Sequence, residues 1–307
     1  MASVTLAESA KLAQNQLVAG VIENTITVNQ MFEVIPFDGI TGNALAYNRE
    51  NALGDVQMGT VDTAITAKAA ATFTQVTSSL TTIIGDAEVN SLIKATRGGD
   101  GNDQVAVQIA SKAKSVGRQY QNLFINGTGS SNEFTGLLAL VAAGQTLTAG
   151  ANGASLTLLM MDELLDKIVD KDGQVDWMTM HSGLRRKYHE LLRAGGGNTA
   201  EDFYTLPSGK QVPAYRGTPI FRNDWIPTTQ TQGSSSVCTT MLAGNWDDGS
   251  RTVGIAGLTA EQDAGISVTP GGIMEGVDNE FWRIRFHCGL AIFSEKGVAM
   301  TKGLLLT

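Results

Sequence analysis

FINGTGSSNEFTGLLAL, residues 124–140, brings the end of a long apolar-striped segment into a glycine, serine and asparagine turn, and then into a Phe-Thr-Gly-Leu-Leu step. Upstream, Val105, Ile109, Ala113, Val116, Tyr120 and Leu123 recur on one face of a helix about 20 residues long, or roughly 30 Å. Asn102 or Asp103 stands where its N-cap belongs. The order of elements decides what the glycines do. A phosphate-cradling loop precedes its helix and presents backbone N–H groups at the N-terminus. Gly127 and Gly129 follow theirs, so they read as its terminator, supplying left-handed or open dihedrals to the C-terminal cap.

Before this helix, residues 44–85 hold two strand-like stretches, ALAYNRE and TFTQVTSSLTTII, separated by a Gly, Asp, Thr and Ala-rich segment with few large apolar residues. Phe73, Val76, Leu80 and Ile83 also fit helical spacing, but the density of Thr and Ser favours strand. The stretch reads as a long hairpin over 41–83 that lacks a core of its own and must lie on something else. Residues 4–32 carry a helical stripe, Leu6, Ala10, Ala13, Leu17 and Val21, and read as a partly helical arm over 1–40.

Beyond Leu140, Leu158, Met161, Leu164, Leu165 and Ile168 mark a second amphipathic helix stopped at Gly173. Strand DWMTMHS, the short basic helix GLRRKYHELLRAGGG with Gly195 to Gly197 at its end, and a strand-turn alternation to VCTTMLAGNW follow. Helices and strands alternate, which predicts an α/β region over 140–255. The clearest strand is FWRIRFHCGLAIF: Trp282, Ile284, Phe286, Cys288, Leu290 and Ile292 alternate with Arg283, Arg285, His287 and Gly289.

The 307 residues carry a net charge of −8, which argues against a freestanding nucleic-acid binder. Charged residues are only 17% and glycine reaches 35, so much of the surface is uncharged and suited to contact with neighbours. No apolar run of about 18 residues is present to span a bilayer. Cys238 and Cys288, the only two cysteines, lack ligand spacing and read as buried thiols.

The chemistry-bearing residues do not converge in sequence. His181, His189 and His287 lack the partners of a zinc site, and neither GxSxG nor a P-loop occurs. Asp247-Asp248-Gly249 and Asp170-Lys171-Asp172-Gly173 read as turns. No metal, cofactor or catalytic residue is expected. Arg185, Arg186, Lys187 and Arg193 form a basic cluster that falls around more than one face of its helix. It reads as a solvated face or as contact with acidic neighbours around an assembly axis.

The helix followed by INGTGSSNEFTGLLAL is similar to the junction in tailed-phage major capsid proteins, where a spine helix ends in a Gly, Asp or Asn-rich turn and a Gly-Leu-Leu step leads on. From arm to the returning FWRIRFHCGLAIFSEKGVA strand, the element order resembles the HK97-type capsid fold, an α+β class. Glu133-Phe134 stands where a proline often precedes the Gly-Leu step in that family.

The resemblance implies an N-terminal arm (1–40), an extended loop (41–83), a peripheral domain (84–139 and 256–307, spine helix 102–125) and an axial domain (140–255). It implies a non-enzymatic shell subunit forming hexamers and pentamers of an icosahedral head around double-stranded DNA, held without sequence-specific binding. Assembly is expected in the host cytoplasm, with no membrane. The spine helix starts near residue 102, leaving no room for a long scaffolding segment ahead of it. A separate scaffolding protein is therefore expected, with a portal and a cement protein as further partners.

Intersubunit contacts are expected at Arg49, Glu50, Lys68, Arg185, Arg186, Arg283 and Arg285, and a hinge after the spine helix at Gly127, Gly129 and Gly136. Some relatives cross-link a hairpin lysine, and Lys68 is the lysine of this hairpin. An encapsulin-like nanocompartment shell is the alternative within the fold, and a small-molecule α/β enzyme the alternative outside it.

Overall fold

The computed structural model describes residues 29–97, 103–170, 173–194 and 202–306. Of the helical stripe expected over 4–32, Leu6, Ala10, Ala13, Leu17 and Val21 lie outside them, as do Asn102 and the Gly195–Gly197 stop. The chain enters through a single 3₁₀ turn, Gln30–Glu33, capped by the Asn29 side chain. Strands β1 (Phe37–Ile40), β2 (Ala44–Ala52), β3 (Thr72–Ser79) and β4 (Thr81–Asn90) follow, then a short helix, Ser91–Arg97, and the spine helix, Gln104–Asn126.

After the spine come β5 (Thr146–Thr148), β6 (Ala154–Ser155), a helix (Leu158–Val169), β7 (Trp177–Met180) and a helix (Ser182–Ala194). The rest is mostly strand: β8 (Asp202–Thr205), β9 (Gln211–Tyr215), β10 (Thr218–Arg222), β11 (Gln230–Gln232) and β12 (Ser235–Gly244). Then come β13 (Ile255–Ala260), β14 (Ile266–Ile273), β15 (Asn279–Ile292) and β16 (Val298–Leu305).

These strands make two sheets and a separate ribbon. In the five-stranded sheet, β15 is the spine of the pairing: β4 runs antiparallel to it from Thr81↔Cys288 to Asn90↔Asn279, while β13 and β14 also pair with it. The alternation read from FWRIRFHCGLAIF holds through Cys288, with Ile284, Phe286 and Cys288 buried. From Gly289 to Ile292 both faces are covered. A continuous apolar run is what a doubly covered strand requires.

The spine helix lies on this sheet. Asp103 caps it by accepting the Val105 N–H at 3.0 Å. Val116, Tyr120, Leu123 and Phe124 are buried on its inner face. Tyr120 sits amid Phe32, Phe37, Phe134 and Phe286, with ring centroids between 5.2 and 5.9 Å. Each such side chain contributes about 1.5–3 kcal/mol by burial.

The nine-stranded sheet has the order β5-β16-β12-β7-β10-β9-β8, with β11 beside β12 and β6 beside β16. Its second core is built from Met161, Leu164, Leu165 and Ile168 of one helix and Leu184 and Tyr188 of the next, packed with Met178, Met180 and Met241. All four residues of β7 are buried, as befits a strand between two layers.

Two boundaries differ from the sequence reading. TFTQVTSSLTTII is strand, not helix, but two strands rather than one: β3 ends at Ser79, and after Leu80 the chain enters the five-stranded sheet as β4. Residues 298–305, grouped in the sequence reading with the peripheral segment, pair instead with β12 and β5 in the larger sheet. The side-chain pattern of β4 and β16 carries no record of which long-range partner each strand takes.

Candidate assembly surfaces

The ribbon β2–β3 is a two-stranded sheet on its own. Its base is fastened to the end of β15. Tyr47 donates its hydroxyl hydrogen to the Ile292 carbonyl at 2.8 Å and packs edge-on against Phe293. Arg49 donates from Nε to the Phe293 carbonyl at 3.0 Å, from Nη2 to the Ile292 carbonyl, and pairs with Glu295 at 2.6 Å. These bonds anchor Arg49 where the ribbon base crosses the end of β15. Glu50 is exposed and opposite Phe73 in the ribbon, and Lys68 is exposed on the returning limb.

Beyond the base the ribbon has no core. Val56, Met58 and Val61 are 94%, 102% and 91% exposed, and Leu53, Ile65 and Phe73 are also mostly bare. Polar bonds hold the tip instead. The Gln57 side-chain oxygen accepts from the Thr66 N–H at 2.7 Å, the Thr66 hydroxyl at 2.9 Å and the Ala67 N–H at 3.0 Å, while its Nε2 donates to the Ala64 carbonyl at 2.9 Å. A bare apolar surface on an ordered projection is the mark of a protein interaction site. Nothing in the local sequence announces Gln57, since its partners are seven to ten positions away.

The junction that opened the sequence reading is a closed loop. Thr128 bridges Thr135, the Gly136 N–H donates to the Gly127 carbonyl at 2.9 Å, and Ser130–Glu133 forms a tight turn with Ser131 at φ 55° and Asn132 at φ 66°. Both central residues at positive φ define a type I′ turn. Gly129 has φ 73°, as expected, but Gly127 sits at φ −53° and needs no special dihedral. Its reason is space: a Cβ there would lie 2.2 Å from the Phe134 carbonyl oxygen. At Gly136 a Cβ would lie 2.5 Å from the Leu123 carbonyl oxygen. Gly127, Gly129 and Gly136, where the hinge was expected, lie in this closed loop, whose contacts set the exit direction of Leu137.

Arg283 and Asp86 are direct register partners on β15 and β4, joined by two hydrogen bonds of 2.9 Å. The hydrogen bonds from Arg283 are the main cause of Asp86's lowered pKa. Arg285 donates to the Thr269 hydroxyl at 3.0 Å, while its Nε is buried without a partner.

The basic cluster is more concentrated than its sequence suggests. Ser182, Arg185, Arg186, His189 and Arg193 line one depression of about 390 Å³ together with Arg222 of β10. Positions 182, 186, 189 and 193 are spaced by four, three and four, one helical stripe. Lys187 lies on another flank, paired with Glu190 at 3.2 Å. Arg222 was not legible, since only the parallel pairing of β10 with β7 brings it there.

The remaining chemistry-bearing residues are dispersed. His287 hydrogen-bonds Thr82 at 2.8 Å and faces Asp263 at 3.4 Å. His181 faces Asp224 at 3.9 Å, and burial pushes its pKa down. Both cysteines are buried thiols, and burial pushes Cys288 up to about 12. Among the described residues no group of three or more His, Cys, Asp or Glu could hold a metal ion. None of their helices is long and apolar enough to cross a membrane.

Comparison with known proteins gives this geometry a family. The holo-SrpI encapsulin complex from Synechococcus elongatus PCC 7942 superimposes with a TM-score of 0.76 at 18% identity, covering 100% of this chain and 98% of that one. The capsid of cyanophage A-1(L) does so at 0.71 and 14%, covering 98% and 99%. The capsid of Myoviridae phage XM1 gives 0.64 and 12%, covering 99% and 100%. No curated protein matches the sequence. These likenesses give the fold, the HK97-type α+β capsid architecture. The sequence model of the SU10 major capsid protein matches residues 46–208, more than half of the 307. The chain belongs to the SU10 major capsid protein family and is a structural subunit of an icosahedral phage head.

Proposed function

We propose that the subunit builds the head as hexamers and pentamers, each copy laying its β2–β3 ribbon across a neighbour. The observation that carries this is the ribbon tip: Leu53, Val56, Met58, Val61 and Ile65 are exposed on a projection that is nevertheless held in shape by Gln57. Closed symmetry repeats one such contact over every copy. The five-stranded sheet with the spine helix serves as the peripheral part, and the nine-stranded sheet with its two helices as the axial part. Contacts around that framework run through Arg49, Glu50, Lys68, Arg185, Arg186, Arg283 and Arg285.

The shell encloses double-stranded DNA without reading its sequence, as the net charge of −8 suits a container more than a binder. It works without an enzymatic activity of its own, assembles in the host cytoplasm, and acts with a separate scaffolding protein, a portal and a cement protein. An encapsulin-type compartment shares the architecture, and the family match favours the phage head. Electron microscopy of the full chain, alone and with its neighbouring genes, tests the reading. Shells, tubes or capsomer rings support it, and a small oligomer that persists in every combination defeats it.

A further inference from the structure

Four arginines in one depression are conspicuous in a chain with 22 lysines and arginines against 30 acidic residues. The topology explains how they meet. β7 and β10 are parallel, with Arg222 in register with Met180, so both strands end at the same edge. The helix Ser182–Ala194 starts two residues after β7 ends and lays its 182, 186, 189 and 193 stripe along that edge. Crevices at the carboxyl ends of parallel strands are where α/β sheets hold ligands.

The trough is long, and among the described residues it is lined by Ser182, His189 and the four arginines. Eleven residues of helix separate Ser182 from Arg193, about 16 Å at the helical rise. Guanidinium groups offer planar forks of donors that match phosphate oxygens, and four of them around one depression, two on the helical stripe and two flanking it, suit several phosphates better than one. Among the described residues Asp224 pairs with Arg222 at 2.8 Å and occupies part of that fork, and Arg193 donates from Nε to the His189 carbonyl at 3.1 Å, leaving its two terminal nitrogens for a ligand.

We propose that this trough is a binding site for a run of phosphate groups, supplied by a nucleic-acid backbone or by free polyphosphate. The site goes beyond the shell-building role and does not need it, since it lies within one subunit.

The test uses the purified full-length chain, with inorganic tripolyphosphate followed by calorimetry and a labelled DNA duplex of mixed sequence followed by anisotropy. Arg186→Ala combined with Arg193→Ala is compared with Lys187→Ala, which removes a charge from the same helix outside the trough. All three positions are on the helix surface, and thermal melts confirm that each variant folds. The double variant is expected to weaken binding at least tenfold. For the duplex it should also lower the slope of log K against log salt by about 2. Lys187→Ala leaves both unchanged.

Binding of duplex alone assigns the site to nucleic acid, and of tripolyphosphate alone to free polyphosphate. The proposal is overturned if neither probe binds at low salt, or if Lys187→Ala weakens binding as much as the double variant. It is equally overturned if the double variant alters only assembly, seen by electron microscopy, which would assign the trough to an acidic face of a second subunit. Failure of the shell-building reading is separate, because it is read from particles and not from these titrations.

Discussion

The Gly136 N–H donates to the Gly127 carbonyl at 2.9 Å, and each glycine stands where a Cβ would collide with backbone oxygen. The spine helix and the segment that leaves it are thereby locked at one crossing. Gly136→Ala should cost at least 2 kcal/mol, since overpacking against backbone cannot be relieved by a rotamer change. Chemical denaturation of the unassembled subunit checks this. A midpoint equal to that of the wild type would show that the crossing is looser than drawn.

The ribbon tip separates folding from assembly. Replacing Val56, Met58 and Val61 together by Ser should leave subunit stability within about 0.5 kcal/mol, because exposed side chains contribute little to the folded state. Particle formation should be lost. Melting curves and sedimentation of the same samples read the two effects independently, and normal particles from the triple variant would remove the tip from the interface.

Arg49 ties the ribbon base to β15 by two carbonyl contacts and one carboxylate. Arg49→Ala should cost about 1–3 kcal/mol, and the loss should be local. Hydrogen exchange is expected to quicken in β2 and β3 while the nine-stranded sheet keeps its protection. Arg49→Lys should rescue only in part, because an ammonium cannot reproduce the planar fork.

Acid sensitivity has a defined source in the Asp86–Arg283 pair. Hydrogen bonds from Arg283 hold the Asp86 pKa below its ordinary 3.8, with burial opposing. A carboxyl depressed on folding gives stability that is complete above the unfolded pKa and is lost as pH falls through the folded one. Asp86→Asn should therefore melt lower than the wild type at neutral pH. The gap should begin to narrow below about pH 4, the ordinary carboxylate range, and close as pH falls through the lowered pKa of the folded state. A gap that stays constant down to pH 2 would assign the loss to shape and not to charge.

Much of the fold was legible because it is written locally. The stripe from Val116 to Leu123, the alternation of Ile284, Phe286 and Cys288, and the Met161–Ile168 face each declare their element within one or two turns. What stayed hidden depends on pairing across the chain. Arg222 reaches the trough only through the register of β10 with β7, β16 joins the larger sheet only through β12 and β5, and Gly127 is required by Phe134. The cluster 185–193 was visible as composition, and its convergence was not, since Lys187 obscured the stripe formed by its neighbours.

Gln57 gives the ribbon a vulnerability that a hydrophobic core would not. Hydrolysis of its amide to a carboxylate would replace the donor that faces the Ala64 carbonyl by a second acceptor, setting two oxygens against each other. The change adds one negative charge and removes almost no bulk, so an ageing pool of subunits would keep intact sheets while its projections gradually lost their outline. The outline of the projection, and not the packing of the sheets, is what this one side chain holds.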